Sequence, residues 1–404
     1  MGKIVNLSPF PPSIEKWWWR QAELNWPEVK KDKWLNLIRQ EIVEQSDRFN
    51  KHRRFSSSSY GERDLSIISY GNFFQRTWMA MTYAIAEVVC FCDWNAPKKG
   101  PLRILDLGSG TGSSGLAVMR FLREFGITNP IELHAWDYSA KSAAYLRNLH
   151  RTCIENWPGS HLETKKVDLQ NPLFQFEKSP SWDLVLAGFS LNEILLGFEI
   201  DEQVHWLDQV SRLIKQNGFL ILCEPAKSEI CNSLQKMSVY LARKSKNLFL
   251  RAPYFNGLPC PFASGTNRFY SHEVRKSSPP KSVEEINRPL GLQIREVKFG
   301  LSILSHRSPN LQPRGPSFFR LISPVSKRKG IISFFGLGSD GMEYLYEFEK
   351  KNLTMEEMEE LISLERGDLL KADIKEHQKG KRTIRLFTPK ALTILFVPRI
   401  RRDI

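Results

Sequence analysis

The stretch Arg103-Ile-Leu-Asp-Leu-Gly-Ser-Gly-Thr-Gly-Ser-Ser-Gly115 constrains this chain more than any other. Ile104, Leu105 and Leu107 form a short apolar run of the kind that makes a buried parallel strand. Gly108, Gly110 and Gly112 follow, and Leu116-Ala-Val-Met-Arg-Phe-Leu then begins a helix. Glycines let the backbone come close to a ligand, and a helix N-terminus offers free N–H groups. Strand, glycine turn and helix in that order predict a nucleotide-type ligand site.

The neighbouring sequence repeats the alternation. Ile131 to Trp136 reads as a second strand that ends on Asp137, and Ser139 to Arg151 as a helix capped by Ser139. Glu163 to Val167 reads as a third strand ending on Asp168, and Trp182 to Phe189 as a fourth. Val204 to Ile214 reads as a helix, and Phe219 to Cys223 as a fifth strand. Alternating strands and helices imply a mostly parallel sheet with helices on both faces.

Two ligand classes compete for the glycine turn. Gly110-x-Gly112-x-x-Gly115 matches the dinucleotide fingerprint, with Asp137 placed for a ribose. The other reading begins earlier. Asp106-Leu-Gly-Ser-Gly-Thr-Gly112 resembles the first motif of class I S-adenosylmethionine-dependent methyltransferases. A carboxylate at Asp106 suits the cationic amino-acid end of S-adenosylmethionine and would repel a pyrophosphate. This resemblance implies a Rossmann-like α/β fold and a cofactor cradle of Asp106, Gly108, Ser109, Gly110 and Gly112. It puts Asp137 on the ribose hydroxyls and Asp168 on the adenine amino group. Asp137 could instead cap a helix, and Asp168 could simply make a turn. The fourth strand runs into Gly188-Phe-Ser-Leu-Asn-Glu193, so Asn192 and Glu193 are the candidate catalytic groups. An Asn/Asp-Pro-Pro-aromatic motif is absent there. Glu193 could accept a proton, orient a substrate or cap the next helix.

In combination, Asp106 to Gly112, Asp183-Leu-Val-Leu-Ala-Gly-Phe-Ser-Leu-Asn-Glu-Ile and Cys223-Glu-Pro resemble the methyltransferase-like family of the mitochondrial and bacterial small ribosomal subunit. Ala252 to Pro261, Ser326 to Gly330 and Arg366-Gly-Asp368 resemble later motifs of that family, in the same order. The resemblance implies action on, or binding to, small-subunit ribosomal RNA in ribosome assembly or translation. It also implies an iron–sulfur or other metal site, from which this chain departs. Cys260 is kept, while Tyr254, Asn256 and Tyr270 stand where the family has ligands. Cys260 with His272 alone would not close a site, so no metal and no cluster are expected. Two other readings stay open: a non-catalytic assembly factor with the same fold, and a methyltransferase of a small molecule or protein.

Charge enters at this point. The chain carries a formal net charge of +14, which favours a polyanionic partner such as RNA. Arg251, Arg268, Arg275 and Lys276 interleave with Tyr254, Phe255, Phe269 and Tyr270, a pattern suited to phosphates and unpaired bases. Lys327 to Lys329 and Arg399, Arg401 and Arg402 are further phosphate candidates. Three adjacent tryptophans, Trp17 to Trp19, read as a hydrophobic anchor rather than a stacking platform. The six cysteines are scattered in apolar surroundings and are expected to be buried thiols. No membrane span is expected. The N-terminal stretch lacks the character of a secretory or transit segment, so the expected location is cytoplasmic, or mitochondrial in a eukaryote, and the expected state away from the ribosome is monomeric.

The expected organisation is a helical N-terminal extension over 1–100 and a methyltransferase-like domain over 101–305. That domain carries an irregular insertion at about 251–280. A C-terminal β-rich extension over 306–404 follows, with one acidic helix at Met355 to Asp373. Ser56 to Ser59 is expected to mark a break in the N-terminal part.

Overall fold

A computed structural model describes residues 3–47, 63–171, 174, 176, 182–245, 247–264, 268–292, 294–374 and 382–401. The Ser56–Ser59 break and Arg402 lie outside these residues. The chain opens with strand β1 (Lys3–Leu7) and helices α1 (Pro12–Asn25), α2 (Lys31–Asp47) and α3 (Asp64–Cys90). The alternating region follows as β2 (Leu102–Leu107), α4 (Ser113–Glu124), β3 (Ile131–Asp137), α5 (Ala140–Thr152), β4 (Ser160–Lys166) and β5 (Trp182–Gly188). It continues with α6 (Leu191–Ile194), α7 (Ile200–Ser211), β6 (Ile214–Pro225) and α8 (Ser228–Lys244). Next come β7 (Phe249–Ala252), β8 (Glu273–Lys276), α9 (Lys281–Asn287) and β9 (Glu296–Ser305).

These strands form one sheet in the order β4-β3-β2-β5-β6-β9-β7, with β8 also paired to β9. The first five in that order run parallel, and β9 is antiparallel to β6. A parallel sheet that reverses order at β2, with β9 antiparallel between β6 and β7, has the strand order of the class I, Rossmann-like methyltransferase fold. The reversal leaves a crevice at the carboxyl ends of β2 and β5, where open α/β sheets bind ligands. Strands buried on both faces explain why Ile104, Leu105 and Leu107, interrupted only by Asp106, and Val185 and Leu186 read as apolar runs.

A second sheet is built from β10 (Phe318–Leu321), β11 (Ser326–Arg328), β12 (Ile331–Gly338), β13 (Glu343–Glu349), β14 (Leu369–Ala372), β15 (Thr383–Leu386) and β16 (Leu392–Ile400), with α10 (Met355–Ser363) beside it. Its order is β1-β16-β14-β10-β12-β13-β15, with β11 on β12. Strand β1 therefore belongs to the C-terminal sheet, pairing parallel to β16 from Lys3 opposite Phe396 to Leu7 opposite Ile400. The sequence reading of the N-terminal part had helices only. The expected helix from Met355 to Asp373 also ends early, at Ser363. Gly367 has φ +104°, and Leu369 and Leu370 leave the helix to pair with β10 and β16.

Helix α3 is apolar on almost every side because it lies between elements. It packs on β6 and β9 of the first sheet and on β1 and β16 of the second. The tryptophans pack inward, as an anchor does. The Trp17 indole N–H donates to Asn148 Oδ1 at 2.9 Å, Trp18 meets Phe74 edge-on, and Trp19 meets Trp34.

Four of the basic and aromatic residues named in the 251–276 segment, Arg251, Tyr254, Phe255 and Arg275, are buried, whereas Arg268 and Lys276 are exposed. Arg251 donates to the carbonyls of Cys92 and Arg307, at 2.9 and 3.1 Å. Tyr254 and Phe255 are buried, and Arg268 lies over Phe269 and Phe335. Arg275 belongs to a buried ionic network at the seam of the two sheets. There Arg320 holds Glu87 of α3 and reaches Glu273 of β8 at 3.1 Å, Arg275 pairs with Glu273 and Asp368, and Arg399 pairs with Asp368 at 2.6 Å. Arg399, a phosphate candidate by sequence, is thus committed internally. The Arg366-Gly-Asp368 motif supplies this network, and a Cβ at Gly367 would lie 1.5 Å from a Glu273 carboxyl oxygen.

The positions matching the family's metal ligands also hold backbone. Tyr254 donates to Ser339 O at 2.8 Å, Asn256 donates to Gln312 O and Ser339 O, and Tyr270 donates to Ala226 O. The six cysteines are free thiols, and all but the half-buried Cys90 are buried. Among the described residues no group of three or more His, Cys, Asp or Glu is placed to hold a metal ion. Among them, too, no helix is long and apolar enough to cross a membrane.

Candidate functional site

The carboxyl ends of β2, β3, β5 and β6 converge on one region, and each carries an acid at or just beyond its end. Asp106 stands near the end of β2 and is 1% exposed. Its Oδ2 accepts the Gly115 N–H at 2.9 Å, while its Oδ1 is buried without a hydrogen-bond partner. Burial pushes the Asp106 carboxyl up to about 7; the Gly115 N–H opposes the shift and neighbouring Asp137 adds to it. Thr111 Oγ1 is likewise buried and unpartnered. Buried orphan acceptors cost free energy unless a partner arrives, so these two atoms mark a place prepared for a donor.

Asp137 closes β3. Its Oδ2 accepts the Gly110 N–H and its Oδ1 accepts the Ser139 N–H, both at 2.8 Å. Each carboxylate oxygen still has acceptor capacity after one hydrogen bond. Burial raises the Asp137 carboxyl above its ordinary range. The capping reading holds in part, since Asp137 fastens Ser139, whose own hydroxyl accepts the Ser142 N–H and caps α5.

The glycine turn is tied to β3 by the Gly108 and Ser109 N–H groups, which both donate to Trp136 O. Gly110, at φ +52°, faces open space where a Cβ would stand, so the turn forms a floor with room above it. Gly112 is different, because a Cβ there would lie 2.2 Å from Leu146. One glycine of the motif leaves space for a ligand, and the other allows α5 to pack. Asp168 is exposed, and its Oδ1 accepts the Gln170 N–H at 3.0 Å, the plain turn that the sequence also allowed.

Asn192 and Glu193 sit on α6, a single turn just beyond β5. Phe189 before it has φ +61°, an uncommon backbone state for a large side chain, at the point where the chain leaves the sheet. Ser190 Oγ donates to Leu107 O at 2.7 Å and pins the turn to β2. The residue that sequence reasoning missed is Glu224, 1% exposed near the end of β6. Its two oxygens accept the Leu191 and Asn192 N–H groups, at 2.9 and 3.3 Å, and so hold the start of α6. The signal was available: Glu224 ends the fifth strand as Asp137 ends the second. Glu193 does not cap the following helix; Glu199 and Glu202 form the capping box of α7.

A cleft of about 270 Å³ opens beside these residues. Leu191, Leu195, Ile230, Leu234 and Met237 line it with apolar groups, and Asn192, Glu193, Gln203, Glu224, Lys227 and Glu229 with polar and charged ones. Asn192 Oδ1 and Gln203 Oε1 are buried without partners. Burial lifts Glu224 to about 8 against its two N–H donors. Glu193 is raised well above the ordinary carboxylate range by burial, by Glu224 and by Asp137.

No family model matches the chain. Over 102 residues it is 29% identical to the highly reducing polyketide synthase pspA of Penicillium soppii, a stretch that is 25% of this chain and 4% of that protein. Solved structures similar to the chain include the DszA carbon methyltransferase, at TM-score 0.36 and 12% identity over 72% of this chain and 70% of that one. The CurJ carbon methyltransferase is similar at TM-score 0.34 and 12% identity, over 72% and 71% of the two chains. An S-adenosylmethionine-dependent methyltransferase from Clostridium acetobutylicum is similar at TM-score 0.27 and 14% identity, over 76% and 88%.

Proposed function

We propose that this chain is an S-adenosylmethionine-dependent methyltransferase acting on a small-molecule acceptor. The observation that carries the cofactor reading is Asp106, a buried carboxyl with an unpartnered oxygen beneath the glycine turn. It fits the ammonium end of S-adenosylmethionine, as the open floor at Gly110 fits the approach of a ligand. Asp137 would accept from the ribose hydroxyls, with Asp168 at the adenine end. When bound, S-adenosylmethionine supplies a methyl group activated on a sulfonium. Glu193 would accept a proton from the acceptor, Asn192 would orient it, and Glu224 keeps both in place by holding α6. Catalysis of this kind rests chiefly on positioning.

The cleft supports a small acceptor over a nucleic acid. Its lining sets Glu193, Glu224 and Glu229 against one lysine, Lys227, and the acids when ionised would repel phosphates. Calorimetry with S-adenosylhomocysteine is expected to give a micromolar dissociation constant for the full chain and a loss of at least tenfold for Gly110→Val, with the fold kept by circular dichroism. No binding at millimolar ligand would sink this reading.

A second reading, binding of small-subunit ribosomal RNA, draws support from one surface. Lys327, Arg328 and Lys329 are exposed at the β11–β12 turn, and Lys351 stands exposed at the end of the adjoining β13. Under this reading Lys327→Glu/Arg328→Glu/Lys329→Glu weakens binding to a small-subunit RNA fragment at least tenfold and flattens its salt dependence. Equal binding by wild type and variant removes this surface from consideration.

A further inference from the structure

We infer that the cleft between α6 and α8 recognises an ammonium group on an apolar body, so that the acceptor is a lipophilic amine, whose nitrogen gives up a proton to Glu193 and with the freed lone pair takes the methyl group as the sulfonium becomes a thioether. This rests on the methyltransferase reading above and names its substrate class.

The first observation is an imbalance of charge. Glu193 and Glu224 face a cleft, and among the described residues neither makes an ion pair. Buried carboxyls elsewhere in the molecule, Glu87, Glu273 and Asp368, are each held by an arginine. Buried charge is ordinarily paired, and this cleft is lined by Glu193, Glu224 and Glu229 against one cation, Lys227, so its acids are in excess and leave a place for a further cation.

The second observation is shape. Leu191, Leu195, Leu234 and Met237 give the cleft apolar surface that would bury a hydrocarbon body, and Glu193 and Glu224 line the same cleft. The volume of about 270 Å³ suits a compact molecule, near the lower bound for small-molecule pockets. The third observation is a pair of buried, unpartnered acceptors, Asn192 Oδ1 and Gln203 Oε1, on two residues that line the same cleft. An ammonium has three donors and no acceptor. Two carboxyls and two amide oxygens are the complementary set.

The other charged groups around the site are Asp137, whose charge acts on Glu193, and Lys227 and Glu229, which line the cleft and are of opposite sign. The raised affinity of Glu193 and Glu224 for protons gives a sign to the pH dependence. Binding a cation favours the ionised carboxyls, so a proton leaves the site as the amine enters. Affinity therefore rises with pH up to about 8, the value for Glu224.

The test is titration calorimetry on the full chain saturated with S-adenosylhomocysteine. The probes are 2-phenylethylamine, the uncharged 2-phenylethanol and the anionic 3-phenylpropanoate. The amine is expected to bind at least tenfold tighter than the alcohol, and the anion most weakly. Buffers of different ionisation enthalpy are expected to reveal proton release, and affinity to increase at least threefold from pH 6.5 to 8. Glu193→Gln and Glu224→Gln should each reduce the preference for amine over alcohol at least fivefold. Met237→Trp, which fills the apolar wall, should weaken both probes. Equal or tighter binding of the alcohol or the anion overturns the proposal. So does displacement of the amine by S-adenosylhomocysteine, which would assign the acids to the cofactor. If S-adenosylhomocysteine binds and no probe does, the amine inference fails and the methyltransferase reading stands. If S-adenosylhomocysteine itself fails to bind, the methyltransferase reading fails, and absence of amine binding to the ligand-free chain then overturns the inference separately.

Discussion

Replacing Arg320 by methionine is expected to destabilise the protein by about 3–5 kcal/mol, the cost of leaving a buried ion pair without one partner. Arg320 lies on β10 and is 2% exposed. Its guanidinium meets Glu87 on α3, Glu273 on β8 and the Gly367 carbonyl. Burial already raises the Glu87 carboxyl, and Arg320, with a smaller contribution from Arg275, opposes that shift. Without it, Glu87 must take up a proton or draw water into the seam. The loss falls on the junction between the sheets, because Glu87 and Glu273 belong to the methyltransferase-like half and Arg320 to the C-terminal sheet. A lower denaturant midpoint and early proteolytic release of the C-terminal sheet would be the joint result. The double variant Arg320→Met/Glu87→Met should recover part of the loss, since an apolar replacement of a whole buried pair is often tolerated. A midpoint shift equivalent to under 1 kcal/mol for Arg320→Met would mean that the network contributes little.

Asp106→Asn is expected to act in opposite directions on stability and on ligand binding. The folded carboxyl is raised to about 7, against about 3.9 in an unfolded chain. A group raised in this way favours the folded state most at low pH. Its contribution is lost as pH climbs from about 4 to about 7, and it stays lost above that. Asparagine carries no charge to bury and can still accept the Gly115 N–H. At pH 8 the ligand-free variant should therefore be more stable than wild type by roughly 2–4 kcal/mol, while at pH 4 the two should be nearly equal. Binding of S-adenosylmethionine should weaken by about 30- to 100-fold, the loss of one charge-assisted contact. Thermal unfolding at the two pH values, with calorimetry beside it, checks both halves. A variant less stable than wild type at pH 8, or one with unchanged affinity, would show that Asp106 is a structural group.

Much of the first sheet was legible because its signals are local. Apolar runs with a short period, Ser139 as a cap and glycines at 108, 110 and 112 each act within a few residues. They predicted β2, β3, β5, α4 and α5 close to where they lie. The acids were legible for a related reason, since a strand end fixes where a side chain emerges. Strand β1 was not legible. Lys3 to Leu7 is an ordinary pentapeptide until β16, almost four hundred positions on, pairs with it. Helix α10 was overestimated because Glu365 and Asp368 suit a helix surface, and only their arginine partners hold them elsewhere.

Composition was a poor guide to the cations. A count gives +14 but cannot say which charges face water. Arg251, Arg275, Arg320 and Arg399 are held by carbonyls and carboxylates from distant parts of the chain. The sequence by itself determined the alternating sheet, the glycine turn and the acids at its strand ends, because those depend on neighbours along the chain. Only the tertiary structure decided that Asp106 keeps one oxygen unpartnered, that Glu224 holds α6, and that Glu193 opens onto a cleft. Each of these depends on burial and on hydrogen-bond partners brought from separate strands, and neither is encoded in any one stretch of sequence.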